Sequence, residues 1–422
     1  VRFTDDEGSL WLIFVQSALE EFVLEQDCKV IFTSFEVGGE ADGESIWSLI
    51  YDYFAYKYDV IFANPSGNGG SDITIFGDCY NGITTGGLVL NGVPEVYGRV
   101  GSVSGSGVTN DGRWKPEITA PSQNQTVPYS SGDRNWVTVP GSVGQTSYST
   151  PHTAGAAALL IGYADDLGDP AASQNEVIKS VIINSTFGNI SDKNGNWTDP
   201  GTNVWDSDRG YGRLDVFRAY EHLAGGRVFS SNQLLTKETG WAYGRVEPGE
   251  QDVYKICGPA NGRLIVSLCW DRRVEWTDWP DNGFINKGEL KGYLANLDLQ
   301  VYGQNGNKLL FSESYNDLCS KNNVEKCDIF LHEVGDYEIR VVNSFDNREG
   351  AYYGLAFEVV EPMRGDFEVD YAVDWRDLTV LASNWLEGGS FMCDLNDDGQ
   401  INMLDLGEMG EIWQRVDAIY HE

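Results

Sequence analysis

The run Thr146-Ser147-Tyr148-Ser149-Thr150-Pro151-His152-Thr153-Ala154-Gly155, continued by Ala156-Ala157-Ala158-Leu159-Leu160, places a serine where a buried helix of small residues should begin. At a helix start a hydroxyl sits near the positive end of the dipole. It also lies beside backbone N–H groups that lack intrahelical partners and can hold a developing oxyanion. That chemistry is attack on a carbonyl, and it points to peptide-bond hydrolysis. The plainer alternative is that Ser147 only N-caps a core helix. A second chemically competent set lies near the C-terminus. Asp394, Asn396, Asp398, Asn402 and Asp405 fall at the first, third, fifth, ninth and twelfth positions of a loop, with Gln400 at the seventh and Gly399 at the sixth. Calcium takes roughly six to eight oxygens from a tightly turned loop, and this spacing supplies them. Asp366, Glu368, Asp370, Asp374 and Asp377 repeat the offsets, with Tyr371 in place of the turn glycine, which should weaken that loop.

These side chains require elements to position them. Val60-Ile61-Phe62-Ala63 is a short apolar run of the kind found in buried parallel strands, and Asn64-Pro65-Ser66-Gly67-Asn68-Gly69-Gly70 follows as a glycine-rich loop. Gln174 to Ser185 reads as an amphipathic helix with Val177, Ile178, Val181 and Ile182 on one face. After about Gly226 the pattern becomes short alternating strands, as in Val253–Ile256, Arg263–Leu268, Leu297–Tyr302, Tyr337–Val342 and Tyr353–Val359. Gln304–Asn307 and Val334–Asp336 read as hairpin turns between them, giving an antiparallel sandwich. Each acidic loop leads into an apolar helix, Leu378–Leu386 and Leu406–Trp413.

The serine run closely resembles the nucleophile signature of the subtilisin-like serine peptidases, a Gly-Thr-Ser-Met-Ala-Thr-Pro-His-like string. Gln145 stands where that family places a glycine, with Gly144 one residue earlier. The Asn64–Gly70 loop is similar to the family's Gly-Asn-x-Gly turn, which implies that Asn68 donates to the oxygen of the tetrahedral intermediate. Lys115-Pro116-Glu117-Ile118-Thr119-Ala120-Pro121 resembles the segment before the serine helix, with glutamate for the usual aspartate, and Gly210-Tyr211-Gly212-Arg213-Leu214-Asp215-Val216 resembles the closing string. Lys29–Phe35 would be the strand ending at the substrate cleft, with Glu36 at a place the family often gives to glycine, and Leu10–Leu24 the helix before it.

A serine hydroxyl needs a base in hydrogen-bond reach and a carboxylate to orient that base. In this family both precede the oxyanion asparagine, the histidine in a His-Gly-Thr string. The histidines here are His152, His222, His332 and His421, and none is followed by Gly-Thr. The resemblance implies a structural role for His152. Asp6-Glu7-Gly8 matches the acidic segment before the Leu10–Leu24 helix better than an Asp-x-Gly strand end. The expectation is therefore a peptidase domain lacking its N-terminal Asp/His part, in a chain inactive by itself whose parent is a serine endopeptidase.

With 29 basic against 64 acidic residues and a net charge of −35, the composition argues against binding nucleic acid or anionic membranes. No apolar run is long enough to span a bilayer. Seven cysteines leave at least one unpaired, with Cys257–Cys269 and Cys319–Cys327 as candidate disulfides. The strands after Gly226 resemble the jelly-roll or pre-peptidase C-terminal-like sandwich appended to such peptidases, in which Asp298 is a candidate calcium contact or simply an outward polar position. The two acidic loop-helix repeats look like a dockerin-type module, implying Ca2+ and a cohesin-like or cell-surface partner. The expected architecture is an α/β parallel-sheet subtilisin-like domain over 1–225, an all-β sandwich over 226–361 and a dockerin-like module over 362–422. The expected setting is secreted or extracellular, with protein or peptide as substrate. The competing reading is a catalytically dead extracellular docking or adhesion protein.

Overall fold

The computed structural model describes residues 12–91, 96–129, 132, 134–141, 143–186, 188, 190–196, 204–277, 290–303, 306, 308–311, 321–344, 349–361, 364–367, 373, 375–386, 393–396 and 398–413. The first half runs α1 (Leu12–Leu19, continued by a π-helical turn over Glu20–Glu25), β1 (Val30–Phe32), α2 (Ile46–Tyr58), β2 (Ile61–Pro65), β3 (Ile83–Asn91), β4 (Val96–Val100), β5 (Ile118–Pro121), the hairpin β6 (Gln125–Pro128) and β7 (Trp136–Val139), then α3 (Thr146–Leu167), α4 (Asn175–Asn184) and α5 (Val216–Ala224). Strands β1, β2, β3 and β5 are joined by parallel ladders, and β4 runs antiparallel to β3.

Every residue of β2 is buried, because helices cover both faces of the sheet. The strand's period of two then divides its side chains between two cores. Ile61 joins Ile83, Ile118, Ala157 and Leu160 under α3, whereas Val60 and Phe62 pack with Leu49, Ile50 and Phe54 of α2.

The second half runs β8 (Leu234–Leu235), β9 (Thr239–Val246), β10 (Gln251–Gly258), β11 (Gly262–Cys269), β12 (Arg273–Trp276), β13 (Leu290–Tyr293), β14 (Leu297–Tyr302), β15 (Lys308–Phe311), β16 (Val324–Leu331), β17 (Gly335–Asn343) and β18 (Ala351–Val360). It forms a five-stranded sheet in the order β15-β14-β17-β10-β8 and a four-stranded sheet in the order β16-β11-β18-β9. Leu299, Val301, Ile339 and Ile256 of the first meet Leu264, Val266, Leu355 and Phe357 of the second in one core. All five strands expected from alternation are present. Val334–Asp336 is not a hairpin turn, since β16 and β17 lie in different sheets. The Cys257–Cys269 pairing is also overturned: both thiols are free, Cys257 exposed on β10 and Cys269 buried on the face of β11 turned toward α4. Cys319 lies outside the described residues. The chain closes with α6 (Trp375–Ser383) and α7 (Met403–Ile412) around a small core that includes Phe367, Leu381, Ile401 and Met409.

Helix α4 departs from the amphipathic expectation, for all ten of its residues are buried. Its second face is covered by the four-stranded sheet, whose Trp241, Cys269, Val324 and Ala356 join the α3–α4 core. Gly354 permits that approach: a Cβ there would lie 2.2 Å from the Glu176 carbonyl oxygen. Polar contacts fix the seam. Arg272 Nη2 donates to Asp52 Oδ2 at 2.8 Å, Asn81 Nδ2 to the Arg272 carbonyl at 2.8 Å, and Lys326 Nζ to the Ile183 carbonyl at 2.9 Å.

Beside β5, Glu117 lies fully buried between Lys115, with which it pairs closely, and Lys179 at 3.2 Å, while its other oxygen accepts from Thr84 N at 2.8 Å. Burial opposes ionisation of Glu117, but the two ammonium groups outweigh it and hold the carboxyl below its ordinary range. Burial lowers the Lys115 amine to about 8 against the pull of Glu117. We expect Glu117→Gln, which strands the lysines, to cost about 3–5 kcal/mol in urea unfolding. Adding Lys115→Met should restore part of that loss. The contribution of Glu117 is complete above its ordinary value of 4.5 and is lost as pH falls through the lowered folded-state value. The wild type should therefore lose more stability than Glu117→Gln on acidification below that point.

Candidate active site

The serine helix begins one residue before Ser147. Gln145 occupies the cap position without a side-chain capping bond, Thr146 is the first helical residue and Ser147 the second. The free Thr146 N–H is satisfied from outside the helix: Asn68 Oδ1 accepts from it at 2.9 Å, and Thr146 Oγ1 donates to the Gly67 carbonyl at 3.3 Å. The N-cap reading of Ser147 is thereby excluded. Its hydroxyl donates instead to the Ser34 carbonyl at 3.2 Å, and Ser34 Oγ returns a bond to the Ser147 carbonyl at 3.4 Å. Ser147 and Asn68 are both half-buried, so the site opens to solvent.

Three loops thus converge at the start of α3. The segment after β1 brings Ser34 and Glu36, the loop after β2 brings Asn68, and Gly144-Gln145 leads in the serine. With its Oδ1 turned to Thr146, the Asn68 amide keeps its Nδ2 donors for another acceptor, beside first-turn N–H groups of α3. Glu36 Oε2 accepts from Asn68 N at 3.1 Å, which places an exposed carboxylate against the asparagine. Sequence reasoning noted Glu36 only as a departure from glycine and did not foresee this bond.

The glycine question at position 145 resolves sterically. Gly144 has φ +83°, and a Cβ on it would lie 2.4 Å from Gly101 Cα. A Cβ on Gly87 would lie 2.2 Å from the Gly144 carbonyl oxygen. Gly144 N donates to the Gly141 carbonyl at 2.9 Å, closing the turn. The crowded, left-handed position is Gly144, whereas Gln145 is extended and exposed.

No histidine among the described residues bonds the Ser147 hydroxyl. His152 Nε2 pairs with Gln125 Oε1 at 2.9 Å on β6, and burial lowers its pKa. His222 is fully buried between Asn184 and the Arg218 carbonyl. His332 stacks edge-on against Phe330 at 5.0 Å.

Of the proposed calcium ligands, Glu368, Asp370 and Asp374 lie outside the described residues. In the second loop Asp394 accepts from Asp398 N and Gly399 N at 3.0 and 2.7 Å, Asn396 Oδ1 accepts from Asp398 N at 3.0 Å, and Asp398 Oδ1 accepts from Gln400 N at 2.9 Å. Asn402 Oδ1 caps α7 through Leu404 N at 2.8 Å. The two loops share one device. Asp377 accepts from Phe367 N at 2.6 Å and Asp405 from Leu395 N at 2.7 Å, both across ten residues. The side chains of Asp366, Asp377 and Asp405 are buried. Among the described residues, no three of His, Cys, Asp or Glu form a group that could hold a metal.

The subtilase family model matches residues 1–212. Pyrolysin of Pyrococcus furiosus is 28% identical over 251 residues, which cover 52% of this chain and 16% of that protein, so the chain spans a small part of that relative's length. Among solved structures, the prenylagaramide maturation protease PagA aligns with a TM-score of 0.41 at 19% identity, over 53% of this chain and 71% of that one. The patellamide maturation protease PatA aligns with a TM-score of 0.41 at 18% identity, over 52% and 72%.

From the packing of the serine turn, Gly144→Ala should cost about 2–4 kcal/mol by combining positive φ with a backbone clash. Gln145→Gly, at an exposed position, should change stability by no more than about 0.5–1 kcal/mol. Urea midpoints of the two variants check the contrast.

Proposed function

Because the chain belongs to the subtilase family, we propose that it is the serine-bearing part of a secreted serine endopeptidase. The observation that supports this best is the 2.9 Å bond from Thr146 N to Asn68 Oδ1, which ties the asparagine loop to the serine turn. In this reading Ser147 Oγ attacks the scissile carbonyl of a protein substrate. The developing oxyanion is taken by Asn68 Nδ2 and a first-turn N–H of α3. The hydroxyl proton, now given to the Ser34 carbonyl, must pass to a base, and an imidazole with its orienting carboxylate comes from outside the described residues. The second reading is a catalytically dead extracellular docking or adhesion protein, for among the described residues no histidine bonds Ser147.

We further assign residues 226–361 to an accessory sandwich of the pre-peptidase C-terminal type, and residues 362–422 to a dockerin-like module that engages a cohesin-like or cell-surface partner. The donor set of the second loop, Asp394, Asn396, Asp398, Gln400, Asn402 and Asp405, is all oxygen and suits calcium. The loop already turns Asp394, Asn396, Asp398 and Asp405 onto its own amides. A bound ion would neutralise their mutual repulsion and brace a small core.

Two measurements test these assignments. Protein expressed from the complete gene should label with a fluorophosphonate at Ser147, lose the label in Ser147→Ala, and lose roughly 10²–10³ in turnover in Asn68→Leu. Failure of the complete product to label favours the docking reading. Chelation with EDTA should make the region after Glu361 the first site of limited proteolysis, with calcium restoring protection. Identical cleavage patterns with and without EDTA would remove the calcium assignment.

A further inference from the structure

A cavity of about 400 Å³ opens at the seam between the two halves, away from Ser147 in the chain and lined by the first turn of α4, the end of α2, the β11–β12 connection, the end of β13 and the start of β18. Three acids line it, Glu176, Asp271 and Glu349, together with Arg245 and Arg273. Glu176 is only 8% exposed, and among the described residues it has neither an ion-pair partner nor a hydrogen bond from another side chain. Asp271 accepts only from Asn175 Nδ2, at 3.1 and 3.3 Å, while Asn175 Oδ1 is itself buried with no donor. The two arginines pair with other acids, Arg273 with Glu275 and with Glu349 of the wall and Arg245 with Glu247, and lie 6.0 Å from the Tyr293 ring and 5.6 Å from the Tyr352 ring.

Burial, then the charge of Glu176, raises the Asp271 pKa well above the carboxylate range, and burial brings Glu176 up to about 7. Neither acid has an ion-pair partner among the described residues, Lys179 offsets the rise at Asp271 only in part, and a cation bound beside them would draw both to ionise. What Glu176 and Asp271 lack, among the described residues, is a cation paired with them. A bare divalent metal is a poor match: two carboxylates supply at most four oxygens, against roughly six to eight for calcium. Tyrosines make up much of the remaining wall, with Tyr56 40% and Tyr293 45% exposed at the mouth. Such walls suit an aliphatic stem carrying a charged tip.

We propose that this cavity binds an organic cation of the size of a lysine or arginine side chain, with the Glu176 and Asp271 carboxylates as counter-charges and Tyr56 and Tyr293 along its stem. The site is independent of the serine chemistry and requires no activity of the peptidase half. Titration calorimetry of the intact chain with agmatine should show saturable one-to-one binding, and 1-pentanol, which lacks the charge, should show none. Glu176→Gln with Asp271→Asn should weaken agmatine at least tenfold while thermal melting confirms the fold. Tyr293→Ala, an exposed change, should weaken it severalfold. Absence of saturable agmatine binding, or equal affinity in the carboxamide double variant, overturns the proposal. Displacement of agmatine by calcium, lost in the same double variant, would also overturn it, by making the cavity a metal site.

Discussion

Helix α4 is the constraint on which the rest of the molecule depends. A ten-residue helix buried on every side has no solvent face to stabilise it alone, so its cost in unsatisfied surface is offset only when both the parallel sheet and the four-stranded sheet are in place. Val177, Ile178, Val181 and Ile182 meet α3 and α5, while Trp241 and Ala356 close over the other side. The core around α4 is therefore shared by the two halves. The seam's polar bonds are consistent with co-folding: Arg272 and Asn81 exchange donor and acceptor at 2.8 and 2.7 Å, both groups out of water. Buried polar groups paired this way tolerate little displacement, because a slip would leave each without a partner.

The same rigidity reaches the serine. Ile61 and Ile83 on the central strands support Ala157 and Leu160 of α3, and α3 in turn rests on α4 and α5. The loop ahead of Thr146 is pressed against the sheet at Gly87 and Gly101, where no side chain could stand. Asn68 then has a fixed neighbour in the Thr146 amide. Geometry of this kind is set by packing before any substrate arrives, which is what oxyanion stabilisation requires.

Much of this was legible in the sequence, for identifiable reasons. Val60–Ala63 read correctly because a strand covered on both faces has a continuous apolar run, and the five alternating strands of the second half read correctly because one face of each points into a shared core. The serine turn and the asparagine loop were recognisable by their resemblance to subtilase strings, and the structure brings them together. What escaped depended on pairing at long range. Nothing local in α4 announces that its polar positions will be covered as well, Lys179 by the Tyr80 and Gly82 carbonyls and Asn184 by Ser267 of the four-stranded sheet. The Val334–Asp336 turn carries hairpin residues but crosses between sheets, since strand partners are decided by burial rather than by the turn. Proximity in sequence also suggested Cys257–Cys269, yet one thiol faces water and the other the α4 core.

The acidic balance takes its meaning from how each buried carboxylate is answered. A net charge of −35 is tolerable when the acids are spread over the surface, where water and salt screen them. Inside, each acid needs a partner. Asp52 has Arg272 at 2.8 Å and the Asn81 amide at 2.9 Å; Asp78 has the Ser48 hydroxyl at 2.7 Å and the Gly43 amide at 2.8 Å; Glu117 has two lysines. Asp377 and Asp405 are turned to backbone amides of their own loops. Against that pattern Glu176 stands apart, buried and facing a cavity without an ion-pair partner among the described residues. A fold that satisfies its other interior acids so consistently has, at this one seam, set two acids without a paired cation against open space, where burial favours their protonated forms and an entering cation would favour the ionised ones.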